Sequence, residues 1–402
     1  MKTFDEALNY LIQQANVTAH TTTLAISEAC GKILAEEITS ELNVPSFDNS
    51  QMDGYVVRAA DLANHDTFEV SQRIPAGTHP QPLTAKTAAR IFTGAPIPPG
   101  GDTVIMQEET ETLEDGRVRI LTKSARQGQN VRVIGEDIAT GQILFTVGHR
   151  LSPQDLGLIA SIGIANITVY RPLRIATFTT GDELLEPGDT PLPGRIFNAN
   201  RFTLAAAIPQ LGFELIDLGK VEDTLDATIE AMKHAAKQAD IVMTTGGVSV
   251  GEEDHIKPAV DRLGALTMWK VKMKPGKPFA YGHIQGTPFI GLPGNPVSAF
   301  ATFYLFARPF LLTMQGATEV LPTPLWLTAD FDWNKPNFRR DFARGRLISD
   351  PQSQETKVEI FPKQGSNVLT STAWADGFVV IPEDTTIAKG DQVAFFPFNS
   401  LK

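Results

Sequence analysis

The sequence predicts a multidomain protein of the α/β plus β class, in which a doubly wound parallel-sheet domain is combined with an inserted β-rich domain, a connecting domain and a small C-terminal β-barrel-like domain. The chain has 402 residues, more than a single hydrophobic core usually serves. Strand-like apolar runs alternate with helical patterns between residues 172 and 320, which is typical of βαβ units. The other segments contain short β-prone runs separated by Gly and Pro, which favours all-β domains.

Five apolar runs of the α/β segment are predicted to be strands. They are LRIATFTT, FELIDLG, ADIVMTTGG, TMWKVKMK and PFIGLPG, and the third and fifth are nearly all apolar, as strands covered on both faces are. The stretches between them carry helical spacing, for example DTLDATIEAMKHAAKQ, with Asp223 or Thr224 as its N-cap. Strict alternation of strand and helix predicts a parallel sheet whose ligands bind at the carboxyl ends of the strands.

Changes of sequence texture and loop-forming residues divide the chain into five parts. An N-terminal helix occupies residues 1–20 and is expected to pack on the α/β domain, and residues 21–44 and 138–171 form the connecting domain. Residues 45–137 are predicted to be the β-rich insertion, 172–320 the α/β domain and 321–402 the C-terminal β domain.

Composition excludes several classes of function. The net charge is −11 and the basic residues are dispersed, so most of the surface would repel a nucleic acid. We find no apolar run as long as a membrane helix and no signal peptide, which predicts a cytoplasmic protein that does not contact a membrane. The single cysteine, Cys30, excludes a disulfide framework or a cysteine-based metal site, and we expect it to be buried. The seven histidines show no metal-ligand spacing.

A glycine-rich loop, TTGGVSVGEED, follows the third predicted strand. Backbone N–H groups and a helix N-terminus converge there, which is an arrangement that binds anions. The residues expected to contribute are Gly246, Gly247, Gly251 and Ser249. A tight turn without a ligand is the alternative. The acids that follow, Glu252 to Asp254, either stabilise the first turn of a helix or bind Mg²⁺ beside a phosphate.

Two further strand ends are polar and acidic. The first strand ends in Thr179 to Glu183, including Thr180, and the second is followed by Glu222 and Asp223. Because the carboxyl ends of parallel strands meet at one edge of a sheet, three acidic loops are expected to converge. Such convergence favours a functional site over a solvated surface.

A row of lysines and a proline-rich loop complete the predicted site. Alternation along one strand would place Lys270, Lys272 and Lys274 on one face, and a turn would bring Lys277 to them, so that the row could neutralise an oxyanion or phosphate. A solvated face is the alternative. The loop GLPGNPVSAF is stiffened by its prolines and provides N–H groups and side-chain caps; its residues of interest are Pro293, Asn295, Pro296 and Ser298.

Two motifs outside the α/β segment are chemically ambiguous. FDNSQMDGYVVR, which contains Asp53, is compatible with a simple Asx-turn. The arginines of RRDFARGR could pair with acids of another domain or grip a ligand bidentately.

Nine motifs together resemble the MoeA family of molybdopterin molybdenumtransferases, which is similar to the E domain of gephyrin. In chain order they are PSFDNSQMDGYVVR, IFTGAPIPPGGD, GEDI, TGDEL, TTGGVSVGEEDH, MKPGKPFAYG, GLPGNPVSAF, DFARGR and QGSNVL. The resemblance covers essentially the whole length. A smaller molybdopterin adenylyltransferase domain shares the pattern of a strand followed by two glycines, so the specificity lies in the full ordered set.

The resemblance implies the last step of molybdenum cofactor synthesis. Adenylylated molybdopterin and molybdate would bind, the adenylate would be hydrolysed with the help of Mg²⁺, molybdenum would be inserted at the dithiolene sulfurs, and AMP would be released. A pyrophosphate-linked substrate suits the glycine loop and lysines, and a divalent ion suits the acids.

The functional residues of the family map onto specific positions of this chain. The resemblance implies catalytic roles for Asp53, Asp137, Glu183, Asp223, Asp254, Lys270 and Lys274, of which Glu183, Asp223 and Asp254 would hold the metal. It also implies substrate-binding roles for Thr93, Pro293, Pro296, Arg344 and Ser366. The motif VEDT departs from many relatives, which carry a second acid after Asp223.

The family also implies a homodimer whose cleft joins the α/β domain of one subunit to the insertion of the other. That arrangement would bring Asp53, Thr93 and Asp137 to the acidic strand ends. Molybdopterin adenylyltransferase and acceptor molybdoenzymes are the expected partners. Two alternatives stay open, a paralogue that inserts tungstate and a non-catalytic scaffold that binds molybdopterin. The chain shows no additional fused domain, so receptor anchoring of the gephyrin kind is not expected.

Overall fold

The computed structural model describes residues 1–18, 20–247, 255–349 and 355–401. A six-stranded sheet forms the α/β domain. Its strands are β1 (Arg174–Thr179), β2 (Glu214–Lys220), β3 (Ile241–Thr245), β4 (Gly264–Lys270), β5 (Pro278–Ile284) and β6 (Thr287–Leu292). They are ordered β2-β1-β3-β6-β5-β4; the first three pairings are parallel, and β5 runs antiparallel to both of its neighbours, β6 and β4. The predicted parallel core is therefore present, but strict alternation of strand and helix is wrong at one edge.

Strand β5 was not predicted, because two of its residues are of types that interrupt a strand pattern. It begins at Pro278 and contains Gly282, and both residue types are depleted in strands. A side chain at Gly282 would overlap the backbone oxygen of Ala265 on β4, so the close pairing of β4 and β5 itself requires glycine there. The turn from β5 to β6 has positive φ at both Gln285 and Gly286, as a tight hairpin needs.

Helices cover both faces of this sheet. They are Ala199–Gln210, Leu225–Gln238, Ile256–Leu263 and a long run that comprises Pro296–Thr302, a π-helical turn Phe303–Ala307 and Arg308–Met314. Thr224, rather than Asp223, caps the second of these through its side chain. One face of the sheet packs against the long run in an aromatic-rich core, and the other face packs against the helices Leu225–Gln238 and Ile256–Leu263.

The long run contains a π-helical turn before Pro309. Proline has no N–H group to donate to the carbonyl oxygen four residues before it, and its ring clashes with that carbonyl group in a regular α-helix.

The same run differs from the sequence prediction that no apolar run is as long as a membrane helix. Within the described residues, Pro296–Met314 is the one span that is long and apolar enough to cross a membrane. Of its window, 89% is buried inside the protein, which is typical of a core helix.

The N-terminal helix, Phe4–Gln13, joins the α/β domain to the C-terminal domain. A capping box between Thr3 and Glu6 starts it. The Phe4 ring lies 5.0 Å from that of Phe306 on the long run and 4.8 Å from that of Phe342 in the C-terminal domain, measured between centroids. Arg340 of the C-terminal domain pairs with Asp5 at 2.9 Å. The helix thus packs on both domains.

The connecting region and the insertion are built mainly from short strands. In the connecting region, strands Thr21–Ala25 and Asn166–Tyr170 pair, as do Ile38–Thr39 and Ile143–Phe145, beside helix Pro153–Ser161 and a 3₁₀ turn Ile26–Glu28. The chain leaves at Val44 and returns at Ile138, whose backbones bond to each other. The insertion contains the sheet Thr103–Met106, Gly54–Val57, Thr87–Ile91, Thr67–Ile74, Val118–Ile120 and Thr110–Thr112, the pair Asn49–Ser50 and Val131–Arg132, helix Ala59–Leu62 and the 3₁₀ turn Gln107–Glu109. Cys30 is exposed, so the prediction that it is buried is wrong.

The C-terminal region is a closed five-stranded barrel, as predicted. Its strands are Leu325–Ala329, Arg340–Ser349, Thr356–Ile360, Gly377–Ile381 and Gln392–Pro397, with helix Thr370–Trp374 and a 3₁₀ turn Phe398–Leu401. A two-residue strand of the α/β domain, Met273–Lys274, adds to the barrel in parallel with Arg340 and Asp341. The α/β domain and the barrel are therefore joined by main-chain hydrogen bonds as well as by a shared core.

Candidate active site

A cavity of about 480 Å³, called here the strand-edge pocket, lies where β1, β3 and β6 end. Its walls are the loops after these strands and the segment 196–200 at the start of a helix. Eight of the predicted site residues line it: Thr180, Glu183, Gly246, Gly247, Pro293, Asn295, Pro296 and Ser298. Groups from three loops that are distant in sequence therefore meet at the edge where ligands bind in open α/β sheets.

The glycine loop leaves β3 in a conformation that glycine permits. Gly246 and Gly247 have φ values of +86° and +63°, in the left-handed region. The Gly246 N–H donates to the Leu292 carbonyl oxygen at 3.0 Å, which ties this loop to the end of β6. Residues 248–254 lie outside the described residues, and the predicted site residues among them are Ser249, Gly251 and Asp254.

The loop after β6 is held from two directions. Asn295 occupies the N-cap of the helix Pro296–Thr302, but its side chain makes no capping bond, so that part of the prediction is wrong. The Asn200 side chain donates to the Gly294 carbonyl oxygen at 2.8 Å, and the Val297 N–H donates to the Ser366 carbonyl oxygen at 3.0 Å. Ser366, a predicted binding residue in the C-terminal region, therefore contacts the loop that lines the pocket.

Acidic side chains gather behind this pocket. Burial raises the pKa of Asp223, and the negative charges of Asp182 and Glu183 raise it further, while His255 and the Asp182 N–H oppose them. No Lys or Arg forms an ion pair with these three acids within the part of the chain that the structure describes. The carboxylates thus repel one another.

The metal-binding capacity of this group is limited in the described residues. Those residues contain no group of three or more His, Cys, Asp or Glu side chains arranged to hold a metal ion. Mg²⁺, however, is commonly bound by one or two carboxylates together with substrate phosphates and water. Glu183 at the pocket wall and Asp223 beside it provide oxygen ligands of that kind, so the residues fit a magnesium ion shared with a substrate.

The predicted lysine row is not one strand. β4 ends at Lys270, Val271 is buried, and Met273–Lys274 belongs to the barrel sheet instead. The Lys274 ammonium lies 3.4 Å from an Asp341 carboxylate oxygen, and burial raises the pKa of Asp341 while Lys274 opposes that rise. None of the four lysines lines the strand-edge pocket, although Pro278, next to Lys277, does. Lys274 lines a separate cavity of about 570 Å³ on the barrel, because the chain turns away from the sheet after β4.

Arg344 is buried in the barrel, with 1% of its surface exposed. Its guanidinium donates to the Ser371 hydroxyl and to the carbonyl oxygens of Phe342 and Gly365 at 2.9–3.4 Å. Burial lowers the pKa of Arg344 to about 10, and Asp341 opposes that change. Of the two roles left open for this arginine cluster, pairing across domains is observed for Arg340, which pairs with Asp5.

The predicted residues of the insertion lie outside the pocket lining. Asp53 accepts hydrogen bonds from the Thr93 N–H and hydroxyl, both at 2.8 Å, and these bonds lower its pKa. Asp137 lines a groove of about 460 Å³ with Asn49 and Arg132. None of the three predicted residues, Asp53, Thr93 and Asp137, lines the strand-edge pocket of its own chain.

Comparison with known proteins identifies the family. Three family models match consecutive parts of the chain: the MoeA N-terminal region (domain I and II) at residues 2–163, a probable molybdopterin binding domain at 176–313 and the MoeA C-terminal region (domain IV) at 327–398. The molybdopterin molybdenumtransferase of Haemophilus influenzae is 39% identical over 404 residues, covering 100% of both chains. The chain belongs to the MoeA family.

Other relatives agree with this assignment. The Bacillus subtilis molybdopterin molybdenumtransferase is 35% identical over 375 residues, covering 90% of this MoeA chain and 86% of its own. The crystal structure of a molybdopterin biosynthesis MoeA protein from Pyrococcus horikoshii OT3 matches with a TM-score of 0.84 and 28% identity, covering 99% of this chain and 100% of that one. The predicted family, fold class and transferase class are confirmed.

Several polar residues near the pocket of this MoeA chain were not predicted as site residues. Asn198 is buried, donates to the Thr179 hydroxyl at 2.8 Å and to Glu186 at 3.0 Å, and lines the pocket with Asn200. His255 lies near Asp223, although the histidines showed no ligand spacing. The signal for the asparagines was the motif FNAN before a helix, because Asn is a strong N-cap and Asn198 accepts a bond from the Arg201 N–H.

Proposed function

We propose that this chain is a molybdopterin molybdenumtransferase, which inserts molybdenum from molybdate into adenylylated molybdopterin with hydrolysis of the adenylate and release of AMP. The observation that carries the proposal is the strand-edge pocket, where glycine and proline loops lie beside acids that form no ion pair with Lys or Arg in the described residues. An anion cradle next to a cation site suits a substrate with a pyrophosphate bond. The relatives are named molybdopterin molybdenumtransferase, which supports the molybdenum transfer in this proposal.

Phosphate binding is assigned to the loops of the pocket. Gly246 and Gly247 carry no side chain that would hold a ligand away from the backbone, and Ser298 adds a hydroxyl in a buried position. The helix Ala199–Gln210 begins at the pocket wall, so the positive end of its dipole also favours a negative ligand there.

Glu183 and Asp223 are proposed to hold Mg²⁺, with Asp254 as a further ligand from outside the described residues. The raised pKa of Asp223 supports this, because it comes first from burial and then from the charges of Asp182 and Glu183, and a bound cation would offset both effects. When bound, Mg²⁺ would supply neutralisation of the charge that develops on the phosphoryl oxygens during hydrolysis. The protein's own contribution is to orient these oxygens with fixed N–H donors.

Cationic residues around the barrel are proposed to receive molybdate, the oxyanion substrate. Lys274 has three donors, and its contact with Asp341 leaves donors available to a ligand in the adjoining cavity. Arg344 donates its hydrogen bonds to neutral acceptors and Asp341 offsets part of its positive charge, so the remainder is proposed to attract an anion at long range. Lys270 and Lys277, which are exposed, are proposed to serve the substrate phosphates.

A homodimer with a shared cleft is proposed to complete the site. Asp53, Thr93 and Asp137 do not line the pocket of their own chain, so they would act on the pocket of a second copy. Exposed apolar side chains in the connecting region and insertion support such an interface; they include Leu42, Phe47, Met52, Ile143 and Val147. A cytoplasmic location, molybdopterin adenylyltransferase as the source of substrate and molybdoenzymes as acceptors complete the proposal.

The deciding experiment is AMP release from adenylylated molybdopterin, measured with and without molybdate and Mg²⁺ beside reactivation of a cofactor-free molybdoenzyme. Release that requires both ions, with reactivation, is the expected result. Replacing molybdate by tungstate separates the tungstate-inserting alternative. Tight binding of substrate without AMP release under any condition would contradict the transferase and leave a molybdopterin-binding scaffold.

A further inference from the structure

One part of the strand-edge pocket is apolar and has no role in phosphate or metal binding. Ile196 and Phe197 both line the pocket and are 59% and 45% exposed. Single apolar side chains are ordinary on a protein surface. Two adjacent ones at the mouth of a cavity form an area that a ligand can remove from water.

The backbone that carries these side chains is fixed. Residues Ile196–Phe197 form a short strand parallel to Leu184–Leu185. The Ile196 N–H donates to the Glu183 carbonyl oxygen at 2.8 Å, and the Asn198 N–H donates to that of Leu185 at 2.9 Å. The Arg195 guanidinium also donates to the Asp182 carbonyl oxygen. A ligand that meets this strand therefore does not have to order it, which reduces the entropy cost of binding.

The remainder of the pocket is rich in polar groups. Gly246, Gly247, Asn295 and Ser298 surround the same cavity of about 480 Å³. An apolar edge joined to a polar floor suits a ligand in which a flat ring is linked to a phosphate. The volume falls within the range of small-molecule sites, roughly 300–1,000 Å³.

We propose that Phe197, supported by Ile196, stacks against one bicyclic heteroaromatic ring of adenylylated molybdopterin and so fixes the position of its phosphates. This inference rests on the proposed function, which supplies the ligand. The substrate carries two such rings, adenine and pterin, and both offer the flat π-face that an aromatic side chain binds.

Binding of ligand fragments to the full chain tests the contact and tells the two rings apart. Isothermal titration calorimetry with AMP, 6-hydroxymethylpterin and ribose 5-phosphate compares wild type with Phe197→Ala, Phe197→Tyr and Phe202→Ala. Phe202 is the matched control, because it is 49% exposed but does not line the pocket. Ribose 5-phosphate keeps a phosphate and lacks the ring.

We expect Phe197→Ala to weaken binding of one ring-bearing ligand by about two- to tenfold. Phe197→Tyr should restore the affinity, Phe202→Ala should leave it unchanged, and ribose 5-phosphate should not respond to any of the substitutions. A loss confined to AMP places adenine on Phe197, and a loss confined to the pterin places that ring there. Unchanged binding of both ligands in Phe197→Ala, an equal loss in Phe202→Ala, or no binding of either ligand to wild type overturns the inference.

Failure of the proposed Phe197 contact can be distinguished from failure of the proposed function. If wild type releases AMP and Phe197→Ala binds both fragments normally, the transferase stands and the ring contact is wrong. If wild type releases no AMP but Phe197→Ala loses affinity for one ring, the contact stands and the reaction is wrong. With the complete substrate, the contact predicts a higher KM for Phe197→Ala.

Discussion

The acids at the carboxyl edge of the α/β sheet and the acids of the two β domains are in opposite situations. Asp53 in the insertion accepts two bonds from Thr93, and Asp341 in the barrel is paired with Lys274. Asp223 at the sheet edge instead has a pKa that is raised by burial and by Asp182 and Glu183. Burial raises the pKa of Asp341 as well, but Lys274 opposes that rise, whereas Asp223 has acids as neighbours and forms no ion pair with Lys or Arg in the described residues. The β domains therefore provide their acids with hydrogen-bond or ammonium partners, and the sheet edge leaves charge that a cation can neutralise.

The largest effect is expected from Asp223→Asn. Loss of a metal ligand should reduce AMP release about 100-fold or more. Folding stability at neutral pH should not fall. Folding raises the pKa of Asp223, so the stability that this group contributes is present below the ordinary carboxyl pKa and is lost as pH rises through the folded value. At neutral pH the substitution therefore removes no stabilising charge. AMP release and urea denaturation at pH 7.5 check both parts. If the variant unfolds more easily, or retains a tenth of the activity, Asp223 is not an unpaired acid that binds the metal, and the contrast with the acids of the β domains is wrong.

Mixed dimers test whether the two kinds of acid meet across subunits. If one cleft uses Asp223 of one chain and Asp53 of its partner, a dimer of Asp223→Asn with Asp53→Asn has one intact cleft and one doubly altered cleft. Co-refolding inactive single variants in equal amounts should therefore restore about a quarter of wild-type activity. Two preparations of the same variant, mixed in the same way, are the control. No recovery would mean that the cleft is not shared.

Magnesium should stabilise proteins that retain Asp223 at the sheet edge more than the variant that lacks it. A ligand that binds the folded state alone adds about 2.7 kcal/mol at one hundred times its Kd. We expect this increase for wild type and Asp53→Asn and a smaller one for Asp223→Asn, measured by urea denaturation with and without MgCl₂. Equal stabilisation of all three proteins would place the ion elsewhere.

Breaking the ion pair at the barrel should leave Asp341 without its ammonium partner and with the hydrogen bond from the Asn337 side chain. Lys274→Ala leaves its nearly buried carboxylate without the ammonium and should cost about 1–3 kcal/mol, less than for a fully buried pair because Lys274 is partly exposed. The pKa of Asp341 is raised in the folded state, and more so in the variant, so the loss should shrink as pH falls. Denaturation at pH 5 and 7.5 tests this, with Lys272→Ala as the control. A loss independent of pH would exclude the carboxylate as its cause.

The smallest effect concerns Thr93 and Asp53. Thr93→Ala removes the hydroxyl donor but keeps the backbone one, so the pKa of Asp53 should rise part of the way towards its ordinary value. Because folding lowers this pKa, the stability it contributes is present above the ordinary carboxyl pKa and lost as pH falls through the folded value. Carboxyl-carbon NMR titration of wild type and Thr93→Ala measures the shift. An unchanged pKa would mean that the backbone bond alone holds the carboxylate.

The pocket was largely predictable because the loops that line it follow parallel strands that are neighbours in the sheet. Loops such as those of Thr180, Gly246 and Pro293 must meet at one edge once the strands are parallel. The positions of the lysines were not predictable in this way. Their prediction continued the two-residue alternation of β4 past Val271, but the chain leaves the sheet at that residue. Pairing of Lys274 with the barrel depends on a strand nearly 70 residues away, which local spacing does not encode.

The sequence by itself determined the family, the parallel core and the types of group that the strand ends present, because strand periodicity and loop residues act locally. Only the tertiary structure decided which charges are neutralised. Asp53, Asp223 and Asp341 carry the same carboxyl group, yet hydrogen bonds from Thr93 lower the pKa of Asp53, whereas burial raises the pKa values of Asp223 and Asp341. It also decided that Phe197 lines a cavity while Phe202, five positions later, does not, because a pocket wall is a property of packed elements rather than of residue type.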